Sequence, residues 1–164
     1  MRHTLGKYKL IAEIGRGGMA AIYLACRFGA DGADELVVVK EPRLDTSEDD
    51  ELLTMFLDEA RLATRLDHRN VVETYEVGEE AGRPFIVMEY LRGRDLSHLA
   101  KSEKNDGVPY GLCLFIGQMA AAGLGHAHRA TDDDGRSLGI VHRDISPGNV
   151  MLGYDGSVKV LDYG

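Results

Sequence analysis

Near the end of the chain a carboxylate, Asp144, is followed five residues later by an amide, Asn149, and thirteen residues beyond that by a second carboxylate, Asp162. Each stands beside a short apolar run, Ile140-Val141, Val150-Met151-Leu152 or Val158-Lys159-Val160-Leu161, of a length that suits a buried strand. This is a layout for holding metal ions against a phosphate chain. A hard divalent cation prefers oxygen ligands, so Asn149 and Asp162 are candidate donors, while Asp144 is left to accept a proton.

The 164 residues are enough for one ordinary core or for two small lobes. A formal charge of −8 argues against a surface built for nucleic acid, where a basic stripe would supply most of the affinity. The two cysteines, Cys26 and Cys113, lie far apart in apolar stretches, which speaks against a disulfide framework or a zinc site. They are expected to be reduced core thiols of a cytoplasmic protein. No stretch approaches the ~20 apolar residues that cross a bilayer, so no membrane segment is expected within this sequence.

Two strand-like runs, Tyr8–Ile14 and Ala21–Cys26, flank the cluster Gly15-Arg16-Gly17-Gly18-Met19-Ala20 and read as a hairpin. Glycines there would let backbone N–H groups approach an anion, although a plain tight turn accounts for them equally. A dinucleotide-binding fold would need a helix directly after the glycines, where the residues are β-branched and aromatic. Leu36-Val37-Val38-Val39 ends in Lys40, which by itself is a solvated strand end. A helix is expected from about Glu48 to Leu66, with Leu53, Phe56, Ala60 and Ala63 as its apolar stripe. Glu59 lies beside that stripe, either as an ordinary edge residue or as partner of a cation.

Residues 67–77 read as a turn into a strand, with His68 a turn residue, and Arg83–Leu91 as a second strand buried on both faces. Asp95 is a sensible helix start. After a polar loop, Leu112–His128 has few charges and many small residues and reads as a buried scaffold helix. His126 and His128, two apart, do not share a helical face as metal ligands would. Residues 131–137 form an acidic turn without the ligand alternation of a calcium loop.

In order, the motifs are the Gly15/Gly17 cluster, Lys40, Glu59, residues 88–91, His142-Arg143-Asp144 with Asn149, and Asp162-Tyr163-Gly164. This series resembles eukaryotic-type serine/threonine protein kinases of bacteria. The resemblance implies an α+β, protein-kinase-like fold, with a β-rich lobe over 1–91 and the start of a helical lobe over 92–164. It also implies ATP and Mg²⁺ as cofactors and a protein with Ser/Thr acceptors as partner. Asp144 would orient the acceptor hydroxyl and take its proton, and Asn149 and Asp162 would hold Mg²⁺. Lys40, paired with Glu59, would steady the phosphates together with the amides of Gly15, Gly17 and Gly18. Ile14, Ile22, Val38 and Met151 would enclose adenine, with Met88, Glu89 and Leu91 as gatekeeper and hinge. Asp95 matches a ribose-binding position, and His142 would pack on Tyr163.

Three departures stand out. Ala20 replaces the third glycine, Ser146 replaces the usual lysine that touches the transferred phosphate, and Tyr163 replaces phenylalanine. The sequence ends at Gly164, so the resemblance covers only the front part of the family's fold. The resulting expectation is a chain inactive by itself or partly exposed, and the competing reading is a pseudokinase-like module that binds nucleotide without catalysis. Small-molecule kinases are a third class, disfavoured by Arg143 beside Asp144.

Overall fold

The computed structural model describes residues 4–17, 20–28, 34–43, 49–102 and 108–163. They fall into two compact units, one of residues 1–64 and 74–90 and the other of residues 65–73 and 91–164.

The first unit is an antiparallel sheet built from β1 (Thr4–Leu5), β2 (Tyr8–Arg16), β3 (Ala20–Phe28), β4 (Asp34–Pro42), β5 (Thr74–Glu80) and β6 (Arg83–Glu89). Its strand order is β1-β2-β3-β4-β6-β5. The expected hairpin around the glycine cluster is present as β2 and β3, although residues 18 and 19 lie outside the described set. β5 and β6 meet at Ala81 and Gly82, both at positive φ (52° and 77°). Two such residues make the tight turn whose twist matches the flanking strands. Because side chains alternate across a strand, odd-numbered Ala25, Val37, Val39, Phe85 and Val87 share one face and form a core with Leu5 and Tyr8. On the other face Ala20 and Ile86 pack against Phe56 and Ala60 of α1 (Asp49–Ala63).

α1 stops three residues short of the expected end at Leu66. The Thr64 hydroxyl donates to the Arg61 carbonyl at 2.9 Å, and Leu66, only 3% exposed, is buried in the second unit. β6 likewise ends at Glu89 rather than Leu91.

The second unit contains β7 (Gly93–Asp95), α2 (Leu96–Ser102), α3 (Tyr110–His128), a short 3-10 turn at Pro147–Asn149, β8 (Val150–Gly153) and β9 (Val158–Val160). The last two strands form a hairpin, to which β7 adds a third strand. Gly93 has to be glycine, since a Cβ there would sit 2.2 Å from the Leu152 carbonyl oxygen. Ile116 of α3 packs on Val150 and Val158. Only one flank of this helix is buried, through Ile116, Gly123 and Ala127, whereas Leu114 and Phe115 are exposed. The scaffold helix expected to be buried over Leu112–His128 is buried on this flank, and Cys113 is exposed rather than a core thiol.

Residues 65–73 are tied to this unit by Asn70. Its side-chain amide donates to the Val158 carbonyl at 2.8 Å, and its own carbonyl accepts from the Val160 amide at 2.9 Å. The Val72 amide in turn donates to the Val160 carbonyl, and Val71 and Val160 form a parallel bridge, so Val71 and Val72 do not extend β5 as the sequence suggested. Among the described residues no helix is long and apolar enough to cross a membrane.

Candidate functional site

The candidate residues divide between the two units, and the units hold them by different means. In the first unit, the strand register sets Ile22 opposite Lys40, Leu24 opposite Val38, and Val38 opposite Met88. Even-numbered positions therefore share a face, and Ile22, Val38, Lys40 and Met88 line the same side of the sheet that α1 covers in part. Val38 is buried and the other three are half-buried. Gly15 lies opposite Ile22, so close that a Cβ on it would touch the Ile22 side chain at 3.5 Å. The Gly17 amide donates across the turn to the Ala20 carbonyl at 2.9 Å. Ile14 is half exposed at the end of β2. Gly18 and the Glu59 side chain lie outside what the structure describes, and with them the Lys40–Glu59 pair, although Glu59 is within α1. Glu89 closes β6.

In the second unit the candidates are held by hydrogen bonds in and beside the β8–β9 hairpin. The Asn149 amide nitrogen donates both to the Asp144 carbonyl at 2.8 Å and to the Asp144 carboxylate at 3.0 Å. Its Oδ1 is thereby turned away from Asp144. The Leu161 amide donates to the Asn149 carbonyl at 2.9 Å, which fixes the start of the Asp162 segment against the Asn149 turn. His142, buried with 3% of its surface exposed, braces both sides. Its Nε2 lies 2.8 Å from the Leu161 carbonyl, which can only accept, so Nε2 carries the hydrogen. Its Nδ1 is then an acceptor for the Asp144 amide at 3.3 Å.

The expected packing of His142 on Tyr163 is present, with ring centroids 4.8 Å apart. Tyr163 is buried, its hydroxyl has no hydrogen-bond partner among the described residues, and burial pushes its pKa up to about 12. Arg143 (φ 62°) and Asp162 (φ 52°) both adopt the left-handed conformation that side chains disfavour. Strain at two such positions in one loop pair persists only where surrounding bonds over-determine it.

Asp95 acts as a helix cap. Its Oδ1 accepts from the His98 amide at 3.1 Å and its Oδ2 lies 2.8 Å from the His98 imidazole. Burial pushes this carboxyl up, but the hydrogen bonds from His98 and Ser97 outweigh it and hold it below the ordinary aspartate value. Met151 is half-buried and pairs with Asp95 across β7 and β8, so these two candidates are neighbours. Leu91 is half-buried at the start of the unit. Ser146 is half-buried and its carbonyl accepts from the Asn149 amide at 3.0 Å.

Sequence reasoning missed His98 and Asn70. The Asp95–His98 spacing of three carried the signal for the first, since a cap accepts from a residue in the first helical turn. Nothing distinguished Asn70 from a surface turn residue.

The donor chemistry fits a hard cation. Asp162 and Asn149 offer oxygens, and among the described residues no cluster of three His, Cys, Asp or Glu side chains could hold a softer metal. One carboxylate and one amide leave most of a Mg²⁺ shell to phosphate and water oxygens, as is usual where the metal is bound through its substrate.

A family model described as protein kinase domain matches residues 8–164. The chain is 44% identical over 161 residues to tyrosine-protein kinase MasK of Myxococcus xanthus, covering 97% of this chain and 25% of that protein. It is 36% identical over 159 residues to serine/threonine-protein kinase PrkC of Bacillus subtilis, covering 97% and 22%. The chain thus spans about a quarter of the length of these curated relatives. Among solved structures, the PknI kinase domain of Mycobacterium tuberculosis matches with a TM-score of 0.78 and 28% identity, over 98% of this chain and 60% of that one.

Proposed function

Because the chain belongs to the protein kinase family, we propose that it carries the ATP-binding and proton-accepting part of a protein kinase that transfers the γ-phosphoryl group of ATP to Ser or Thr hydroxyls. The observation that carries this reading is the bond from the Asn149 side chain to the Asp144 carboxylate, at the turn to which the Asp162 segment is pinned.

Asp144, exposed and with one carboxylate oxygen already engaged by Asn149, orients the acceptor hydroxyl and takes its proton as the bond to phosphorus forms. The hydrogen bond from Asn149 keeps that carboxylate in one rotamer, so no ordering is needed during transfer. Asn149 Oδ1 and Asp162 would hold Mg²⁺, which when bound neutralises charge on the phosphates. Lys40 and the Gly15–Gly17 backbone would steady the phosphates. The side chains of Ile22, Val38 and Met88, on one sheet face, supply an apolar surface for adenine, as Met151 does in the second unit. Asp95 would accept from ribose hydroxyls with whatever capacity its cap leaves.

The name of the Myxococcus relative favours a second reading of the acceptor, tyrosine. Ser146 bears on it, since a short hydroxyl in place of a long cation widens the approach to Asp144.

The test is transfer of labelled phosphate from Mg–ATP by the protein carrying this sequence to a peptide library containing Ser, Thr and Tyr. Transfer lost in Asp144→Asn with Mg–nucleotide binding retained is the expected result. Transfer that survives the substitution removes Asp144 from its role, and binding without transfer in the unsubstituted protein supports the pseudokinase reading instead. Phosphoamino-acid analysis of the product separates Ser/Thr from Tyr.

A further inference from the structure

On a chain of net charge −8, residues 65–70 and 125–130 together carry Arg65, His68, Arg69, His126, His128 and Arg129 against a single carboxylate, Asp67. These segments are 60 residues apart in sequence and packed together in the second unit. Gly123 on α3 admits the Asn70 carbonyl so closely that a Cβ would stand 2.5 Å from its oxygen. Two residues from Asn70 in the chain, and on the next turn of α3, the rings of His68 and His126 stack with centroids 4.9 Å apart and an angle of 24° between their planes. His68 Nδ1 accepts from the Asn70 amide at 3.1 Å, so when the ring is neutral its Nε2 bears hydrogen and is a donor. Arg129 folds back along the last turn of α3, its Nη1 only 3.2 Å from where a Cβ on Gly125 would be. Arg69 follows His68 directly. Both guanidiniums are on exposed residues, and among the described residues neither is in an ion pair.

We propose that His68, Arg69, His126 and Arg129 form a binding site for a phosphate-type anion. His68 and His126 stack, Arg69 adjoins His68 in the chain and Arg129 lies three residues beyond His126, and arginine forks match the oxygens of a phosphate bidentately. Half-burial of the imidazoles leaves their positive forms poorly solvated, which an anion would relieve. Consistent with that, burial holds His68 below the ordinary histidine value, the positive charges of His126, Arg69 and Arg129 lower it further, and Asp67 acts against them. Protonation of His68 and binding of an anion beside it therefore favour each other. The anion could be a phosphate monoester on a protein segment or free phosphate, and the recognition chemistry is common to both.

Histidine ring proton resonances of the protein report on the site directly. Inorganic phosphate is titrated in at pH 6.5 against chloride at equal ionic strength, and O-phosphoserine and O-phosphotyrosine peptides against their unphosphorylated forms. Saturable shifts of the His68 and His126 resonances are expected, with the titration midpoint of His68 displaced upward. Arg129→Gln and Arg69→Gln should each weaken binding about fivefold, and His126→Phe should do so while keeping the ring stack. Peptide binding tighter than free phosphate assigns the site to phosphorylated segments, and equal affinity assigns it to the small anion. Shifts reproduced by chloride, or unchanged in Arg129→Gln, overturn the proposal.

Discussion

The two units hold their candidate residues in contrasting ways. In the first, Ile22, Val38, Lys40 and Met88 share a face because three strands, β3, β4 and β6, pair in one register. In the second, the geometry around Asp144, Asn149 and Asp162 depends on His142 bonding to the Leu161 carbonyl and the Asp144 amide, and on Asn149 bonding to the Asp144 carbonyl and carboxylate. A register is a collective property of many ladder bonds and survives the loss of one side chain. A loop held by two side chains, with two residues at positive φ, does not. One unit is thus built to present an apolar surface, and the other to fix a few polar atoms within tenths of an ångström.

The sharpest way to break this comparison is to remove one residue of each kind. Asn149→Ala deletes both bonds to Asp144 and a donor for the metal, and should lower kcat for phosphoryl transfer ~10²–10³-fold. Ile22→Ala trims the apolar face and leaves the register intact, so it should raise KM for ATP by roughly 3–10-fold with kcat little changed. Steady-state kinetics on both variants decide the matter. Equal kcat losses would show that the sheet face is as finely positioned as the loop.

Next in size is a stability effect that asks how rigidly the second unit is closed. Gly123→Ala puts a Cβ 2.5 Å from the Asn70 carbonyl oxygen, a backbone atom that cannot swing aside, and should destabilise by ~2–3 kcal/mol. Gly117→Ala, in the same helix with nothing within 4 Å, should stabilise by up to ~1 kcal/mol through helix propensity alone. Urea unfolding of the two variants gives the difference. Like signs would mean that α3 is free to shift away from residues 65–73.

The two means of construction also explain what was legible in the sequence. Loose alternation around the glycines placed β2 and β3, apolar runs placed β4 and β6, a stripe at three- and four-residue intervals placed α1, and a run of few charges and many small residues placed α3. His142, Asp144, Asn149 and Asp162 stand out for a different reason: they form a spaced series of polar side chains beside short apolar runs. The fate of residues 65–73 was not legible. Asn70 and Val71 look like an ordinary entry into β5, and only the hairpin they meet, nearly ninety residues later, draws them into the other unit. Asp95 reads as a helix start, but its partner His98 and the His68–His126 stack were missed, since each histidine taken singly has a bland explanation.

Tyr163 tests whether the hydrogen-bonded loop is at its optimum. Its hydroxyl is buried among groups that give it no partner in the described structure, so Tyr163→Phe should stabilise by ~1 kcal/mol. The pH dependence carries the same sign. With its folded pKa raised to about 12, Tyr163 stays neutral when the unfolded chain begins to ionise near 10, so its share of stability is intact below pH 10 and lost as pH climbs toward 12. Thermal melts from pH 9 to 11.5 should therefore fall more steeply for the parent than for the Phe variant. Parallel curves would mean that the hydroxyl ionises in the folded protein as it does in the unfolded chain.

The smallest effect lies at the His68–His126 stack. His68 is held below the ordinary histidine value by burial, and by the charges of His126, Arg69 and Arg129 in turn. On acidification the unfolded chain therefore binds its proton first, at about pH 6.5, and stability declines from there until the folded-state value is passed. Because the ring is half exposed, solvent screens much of this, and Tm should drop by only about 1–3 °C between pH 7.5 and 5.5 beyond the drop shown by His68→Phe. Phosphate at the same ionic strength should remove part of that decline, since an anion at the proposed site would stabilise the protonated His68 ring. A decline that phosphate leaves untouched would make the stack a purely structural contact.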